Sequence, residues 1–159
     1  MQIAGLILLY AGNNVPYDWL PCDGRLLDRG ANVLLFNMIG TQYGGDGRST
    51  FAIPKKGKVN NLHYIICTDG ELIDMQLSDT FDVNDENRYA GAVLPFAGGN
   101  VPDGWALCDG KQLKIDQNVV LFATIGITFN TGKIDQNHFC LPKTDKPHII
   151  CVSGLFVNS

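Results

Sequence analysis

Charge is scarce in this sequence. Only 18% of the 159 residues are Asp, Glu, Lys or Arg, and the net charge is −4. Twelve scattered cations give no basic stripe, which disfavours nucleic acid as a partner, since phosphate binding needs clustered Lys and Arg. Histidine is also thin. His63, His138 and His148 stand at no ligand spacing from each other or from a carboxylate, so no metal is expected. None of the five cysteines stands two residues from another, which excludes a zinc ribbon or a dithiol redox motif.

Other absences narrow the reading further. The glycine-rich stretch Tyr43-Gly44-Gly45-Asp46-Gly47-Arg48 has no Gly-Lys-Ser/Thr after it and follows a helical segment. A shaped turn is therefore expected there, not a phosphate cradle. No serine sits in a nucleophile elbow and no Cys–His pair recurs, so neither catalysis nor a cofactor is expected. No long apolar run exists. Met1 to Tyr10 is too short to span a bilayer. It lacks the basic start and small-residue cleavage pattern of a leader, and it reads as a core strand of a protein made without a signal peptide.

What the sequence does contain is itself, twice. At an offset of 86 positions Gly5 falls on Gly91, Ala11-Gly12 on Ala97-Gly98, and Asn14-Val15-Pro16 on Asn100-Val101-Pro102. Trp19 meets Trp105, and Cys22-Asp23-Gly24 meets Cys108-Asp109-Gly110. Asn32-Val33, Leu35-Phe36 and Ile39-Gly40 meet Asn118-Val119, Leu121-Phe122 and Ile125-Gly126. The register then slips so that Phe51 and Pro54 match Phe139 and Pro142, and slips back so that Ile65-Ile66-Cys67 matches Ile149-Ile150-Cys151. The rarest residues and the backbone-special ones coincide, which means one supersecondary unit used twice.

Each unit reads as α+β: small, β-rich, with one short helix. A buried strand is expected over Gly5 to Tyr10 and Gly91 to Phe96. A Gly–Pro turn follows, then a short strand carrying the Trp and ending at Cys-Asp-Gly. An Asp-Gly pair marks a tight turn, so Asp23 and Asp109 are expected to bond their own backbone instead of acting as acids. Leu35, Met38 and Ile39 recur at helical spacing within Asn32 to Ile39, with Gly40 as the stop, and Asn118 to Gly126 repeats the pattern. Further strands are expected near Phe51–Ile53 and Phe139–Leu141, and over Tyr64–Thr68 and His148–Val152. The expected organisation is a first unit over 1–68, an acidic linker over 69–90 and a second unit over 91–159.

The linker carries seven acidic residues and one cation, a net −6 that leaves the rest of the chain at +2. A solvated connection is the preferred reading over a docking strip for a basic partner. Two cysteines recur per unit, Cys22 with Cys67 and Cys108 with Cys151. Their odd total and apolar neighbours favour buried thiols over two disulfides. Trp19 and Trp105, the largest apolar side chains, read as core anchors in preference to a sugar-stacking platform.

Together these residues resemble the phage tail collar domain, a family also found in bacterial proteins labelled microcystin-dependent. The second unit carries Phe96-Ala97-Gly98, Pro102, Gly104-Trp105, Cys108-Asp109-Gly110, Leu121-Phe122, Ile125-Gly126 and Leu141-Pro142. The first carries Tyr10-Ala11-Gly12, Pro16, Trp19, Cys22-Asp23-Gly24, Leu35-Phe36, Ile39-Gly40, Tyr43 to Gly47, Thr50-Phe51 and Ile53-Pro54. Two departures stand out. Asp18 replaces the Gly before Trp in the first unit, and the second lacks Gly-Gly-Asp-Gly. The resemblance implies a structural part of a tail fibre, tip or contractile injection apparatus, located in the virion tail or an extracellular injection particle. It implies a homo-oligomer, usually a trimer, bound to other tail proteins and in some cases to a host receptor or glycan. Six units in a trimer would suit a pseudo-sixfold ring. A secreted lectin-like module is the alternative.

Overall fold

The computed structural model describes residues 3–70 and 89–155. The expected linker therefore lies mostly outside the described residues. The first unit comprises β1 (Ile7–Tyr10), β2 (Trp19–Pro21), β3 (Leu26–Asp28), α1 (Val33–Ile39), β4 (Thr50–Ala52) and β5 (His63–Cys67). The second repeats it as β6 (Ala92–Pro95), β7 (Trp105–Leu107), β8 (Gln112–Lys114), α2 (Val119–Ile125), β9 (His138–Cys140) and β10 (His148–Cys151).

Six strands make one antiparallel sheet in the order β2-β5-β1-β6-β10-β7. From the middle outward, each half is the same strand triplet. The halves join where Leu9 opposes Val93 and Tyr10 opposes Ala92. That register centres on Leu8 and Leu94, which are counterparts in the repeat. The two units are therefore related by a pseudo-twofold axis normal to the sheet, each face mapping onto itself. This corrects the expectation of a pseudo-sixfold ring. Such a ring needs units joined head to tail, whereas the junction within this chain is isologous.

The dyad is imperfect, and one residue accounts for it. Ala11 N–H donates to Gly91 O at 3.0 Å, and two residues back Leu9 faces Val93. The mirror image of Leu9–Val93 is Ile7–Pro95. Pro95 stands at Leu9's counterpart and has no N–H to give. The β1–β6 ladder therefore runs on one side of the dyad only. There it is reinforced by Asn13 N–H donating to Thr124 O in α2 at 3.1 Å.

Four extra residues in the first unit strengthen the same side. Val59 and Leu62 exchange backbone hydrogen bonds of 2.9 and 2.8 Å around Asn60 and Asn61, whose φ values are 50° and 64°. Two successive left-handed residues, both Asn, match the type I′ hairpin turn. The turn drives Leu62, fully buried, into the core cluster that holds Val93, Leu121, Phe139 and Ile150 of the second unit. Its counterpart, Lys146, is exposed.

Alternation along the strands builds two layers. One face holds Leu9, Ile66, Val93 and Ile150 under the helices and the two-stranded ribbons β3–β4 and β8–β9. The other holds Tyr10, Trp19, Ile65 and Cys67, then Ala92, Trp105, Ile149 and Cys151. The ribbon strands β3 and β8 were not anticipated. The expected helical face also needs correction. Leu35 is buried and Ile39 packs beside it as expected, but Met38 is 42% exposed, and Phe36 packs in its place. A seven-residue helix lying on a sheet buries only a narrow stripe.

Candidate functional site

Each unit's most distinctive residues lie where β2 or β7 leaves the sheet. Trp19 lies opposite Cys67 on β5, and Trp105 opposite Cys151 on β10. Their exposures are 6% and 8%, so neither ring offers a face to a sugar. Trp19 Nε1 and the Tyr10 hydroxyl are both buried with no hydrogen-bond partner among the described residues. Burial, with a smaller contribution from Tyr89, pushes the Tyr10 hydroxyl up to about 12. The Tyr10 ring lies where a Cβ on Gly12 would be, which explains the Tyr-Ala-Gly spacing: residues two apart share a strand face. Phe96 lies likewise over Gly98, and as Phe it carries no hydroxyl.

Asp18 and Gly104 precede the two tryptophans with φ of 63° and 80°. The turn demands a left-handed residue, which Gly adopts without cost and Asp does not. Asp18 O accepts both the backbone N–H and the hydroxyl of Thr68, at 2.7 and 2.9 Å.

Cys22-Asp23-Gly24 is a corner clasped to the segment after β4. Lys56 N–H donates to Cys22 O at 2.9 Å, and Ile53 N–H to Arg25 O at 3.1 Å. Gly24, at φ 82°, lets Lys55 approach: a Cβ there would meet Lys55 Cβ at 3.0 Å. Cys108-Asp109-Gly110 does the same. Thr144 N–H donates to Cys108 O, Leu141 N–H donates to Lys111 O, and Gly110 has φ 79°. Asp23 Oδ1 accepts Arg25 N–H at 3.1 Å, and Asp109 Oδ1 accepts Lys111 N–H at 3.0 Å. Both carboxylates thus close their own turns. Asp23 also pairs with the Arg25 guanidinium, which holds its carboxyl below the usual range. That pair was not anticipated, although Arg25 stands two residues on and its counterpart, Lys111, makes no such fork.

All five cysteines are buried thiols, and none is in a disulfide. Cys22 packs with Leu35 and Phe51 on the helix face, whereas Cys67 packs with Trp19 on the other. Cys108 and Cys151 are separated the same way. The sheet itself stands between each recurring pair. Burial pushes Cys22 and Cys67 up to about 11 and Cys108 to about 12, so these three are protonated at neutral pH.

The Gly-Gly-Asp-Gly loop is closed by its own carboxylate. Asp46 Oδ1 accepts the N–H groups of Arg48, Ser49 and Thr50, each at 2.9 Å, and Oδ2 accepts the Ser49 hydroxyl at 3.0 Å. These bonds hold its carboxyl far below the usual range. The donors a phosphate would need are already occupied. In the second unit Asp135 takes over part of this role, accepting Asn137 N–H at 2.8 Å and meeting His138 Nδ1 at 2.7 Å. Beside it, at the Lys114–His138 end of the β8–β9 ribbon, lies an open cleft of about 580 Å³ lined by Lys114, Ile115, Asp116, Gln136, Asn137 and His138.

Among the described residues no three His, Cys, Asp or Glu side chains gather as metal ligands, and no helix is long and apolar enough to cross a membrane. What the geometry offers is rigidity: two equivalent corners, each internally bonded, on one continuous sheet. No curated protein and no solved structure matches the chain. A family model described as Phage Tail Collar Domain matches it twice, over residues 5–56 and 91–146.

Proposed function

The chain belongs to the phage tail collar domain family, and from that premise we propose that it is a structural component of a phage tail or of a tail-like contractile injection particle. Its task there is assembly or attachment, not catalysis. The observation that carries this reading is the duplicated family match, one over each unit. The site geometry supports it. The motif residues Trp19, Cys22, Asp23 and Gly24, with Trp105, Cys108, Asp109 and Gly110, serve the sheet and its corners.

In this reading the chain forms a homo-oligomer, three copies being the expected number, and binds other tail proteins. The units are residues 1–68 and 91–159, joined by the acidic segment 69–90. Because each chain carries an internal pseudo-dyad, three copies with their dyads normal to the threefold axis would present six units in two opposed layers. Receptor or glycan contact is secondary, since both tryptophans are buried.

The test is recovery of the tagged chain from phage-producing or particle-producing cells, with its companions identified by mass spectrometry. Tail, baseplate or sheath proteins are expected. Recovery only outside particles, with glycan binding that is lost on replacing Trp19 or Trp105 without unfolding, would replace this reading with the lectin-like one.

A further inference from the structure

The six-stranded sheet ends on β2 and β7, which are the same strand of the repeat but are not equally open. In β2, Cys22 N–H bonds inward to Tyr64 O and Thr68 N–H bonds to Asp18 O. Leu20 therefore also faces β5, and Trp19 and Pro21 face outward. None of the outward groups offers a donor. Trp19 N–H bonds to Pro16 O, Pro21 has no N–H, and Pro21 O already accepts Asp23 N–H at 2.8 Å. In β7 the same parity holds. Cys108 N–H bonds to His148 O and Val152 N–H to Gly104 O, so Trp105 and Leu107 face outward. Trp105 N–H is taken by Pro102 O. Leu107 stands where Pro21 stands in the first unit. Its outward N–H and C=O have no partner among the described residues, and its side chain is 40% exposed.

We propose that the β7 edge is a self-association surface, on which β7 of one chain pairs antiparallel with β7 of a second copy, Leu107 against Leu107. The two copies of Leu107 exchange two backbone hydrogen bonds and stack their exposed side chains. Continuity favours a second copy as the occupant. The chain already makes its inner junction by the same edge-to-edge antiparallel pairing of repeat-equivalent strands at β1–β6. Pro21 then gives closure. With the β2 edge shut, pairing stops at two sheets and does not run on into a fibre.

Sedimentation and native mass spectrometry of the full chain, taken up to millimolar concentration, provide the test. An even number of copies is expected: two, or six where the threefold association proposed above also forms. Leu107→Pro, which installs the first unit's residue, should weaken the pairing about thirtyfold, the worth of two backbone hydrogen bonds. Pro21→Leu, which gives the β2 edge the residue of the β7 edge, should carry association beyond two copies, an outcome that misfolding at β7 cannot imitate. Only one or three copies at every concentration, an unchanged assembly in Leu107→Pro, or no larger assembly in Pro21→Leu would overturn the proposal.

Discussion

Replacing Leu62 with alanine probes what holds the two units together. Leu62 lies at the end of the four-residue insertion, and its side chain is completely buried in a core cluster made mostly of second-unit residues. Leu→Ala removes three carbons, a transfer loss of about 2.4 kcal/mol at ~0.8 kcal/mol per methylene. The residual cavity raises the total to about 3–4 kcal/mol, within the range for rigid cores. The surroundings are rigid here, because the sheet fixes Val93 and Ile150 while α2 fixes Leu121. Urea unfolding followed by tryptophan fluorescence suits the question, because each unit holds one tryptophan. Trp105→Phe leaves a reporter in the first unit only, and Trp19→Phe in the second only. The expected result is a loss of about 3–4 kcal/mol seen by both reporters, or a splitting of the transition into two as the units uncouple. Lys146→Ala at the mirror position should change stability by less than about 0.5 kcal/mol, as exposed surface substitutions do. A loss below about 1 kcal/mol for Leu62→Ala, with the two reporters still coincident, would refute the claim that this insertion clasps the units.

Four more expectations follow from the same comparison of the two units. Asp18→Gly should raise stability by about 1 kcal/mol in thermal or urea melts, because it relieves a left-handed residue at the position where the second unit already has Gly104. Tyr10→Phe should be neutral or stabilising by up to about 1 kcal/mol, since it deletes a buried hydroxyl with no partner among the described residues and installs the residue found at position 96. Asp46→Asn should lower the melting temperature at neutral pH. The folded-state pKa of Asp46 lies below its ordinary value of 3.8, so its contribution is present above that value and lost as pH falls below it. The gap between variant and parent should therefore close in acid. Native protein should react slowly with thiol reagents, and its five cysteines should all become reactive in denaturant, with no reductant required.

The local structure was largely legible in the sequence because it is written in residues with strong local preferences. Trp19, Cys22-Asp23-Gly24 and Gly40 recur as Trp105, Cys108-Asp109-Gly110 and Gly126, and each marks a strand, corner or helix stop that the structure contains. The continuous apolar runs at β1, β5, β6 and β10 were likewise readable, since both sheet faces are covered. The ribbon strands β3 and β8 were not. Each is three residues long, with a single partly buried residue, Leu27 or Leu113, too short for a period to show.

What the sequence alone determined is thus the repeat, the helix and strand content of each copy, and the corners that turn on Asp-Gly. Only the tertiary structure decided how the copies meet. Antiparallel pairing of β1 with β6 is a contact between residues more than eighty positions apart, and no local preference encodes it. Only that pairing gives meaning to the differences between the copies. Pro95 against Leu9 opens one half of the junction, the inserted turn at Asn60-Asn61 closes the other through Leu62, and Pro21 against Leu107 makes the two outer edges of the six-stranded sheet unequal. A proline's missing N–H matters only where a neighbouring strand comes to claim it, and that is known only once the sheet is assembled.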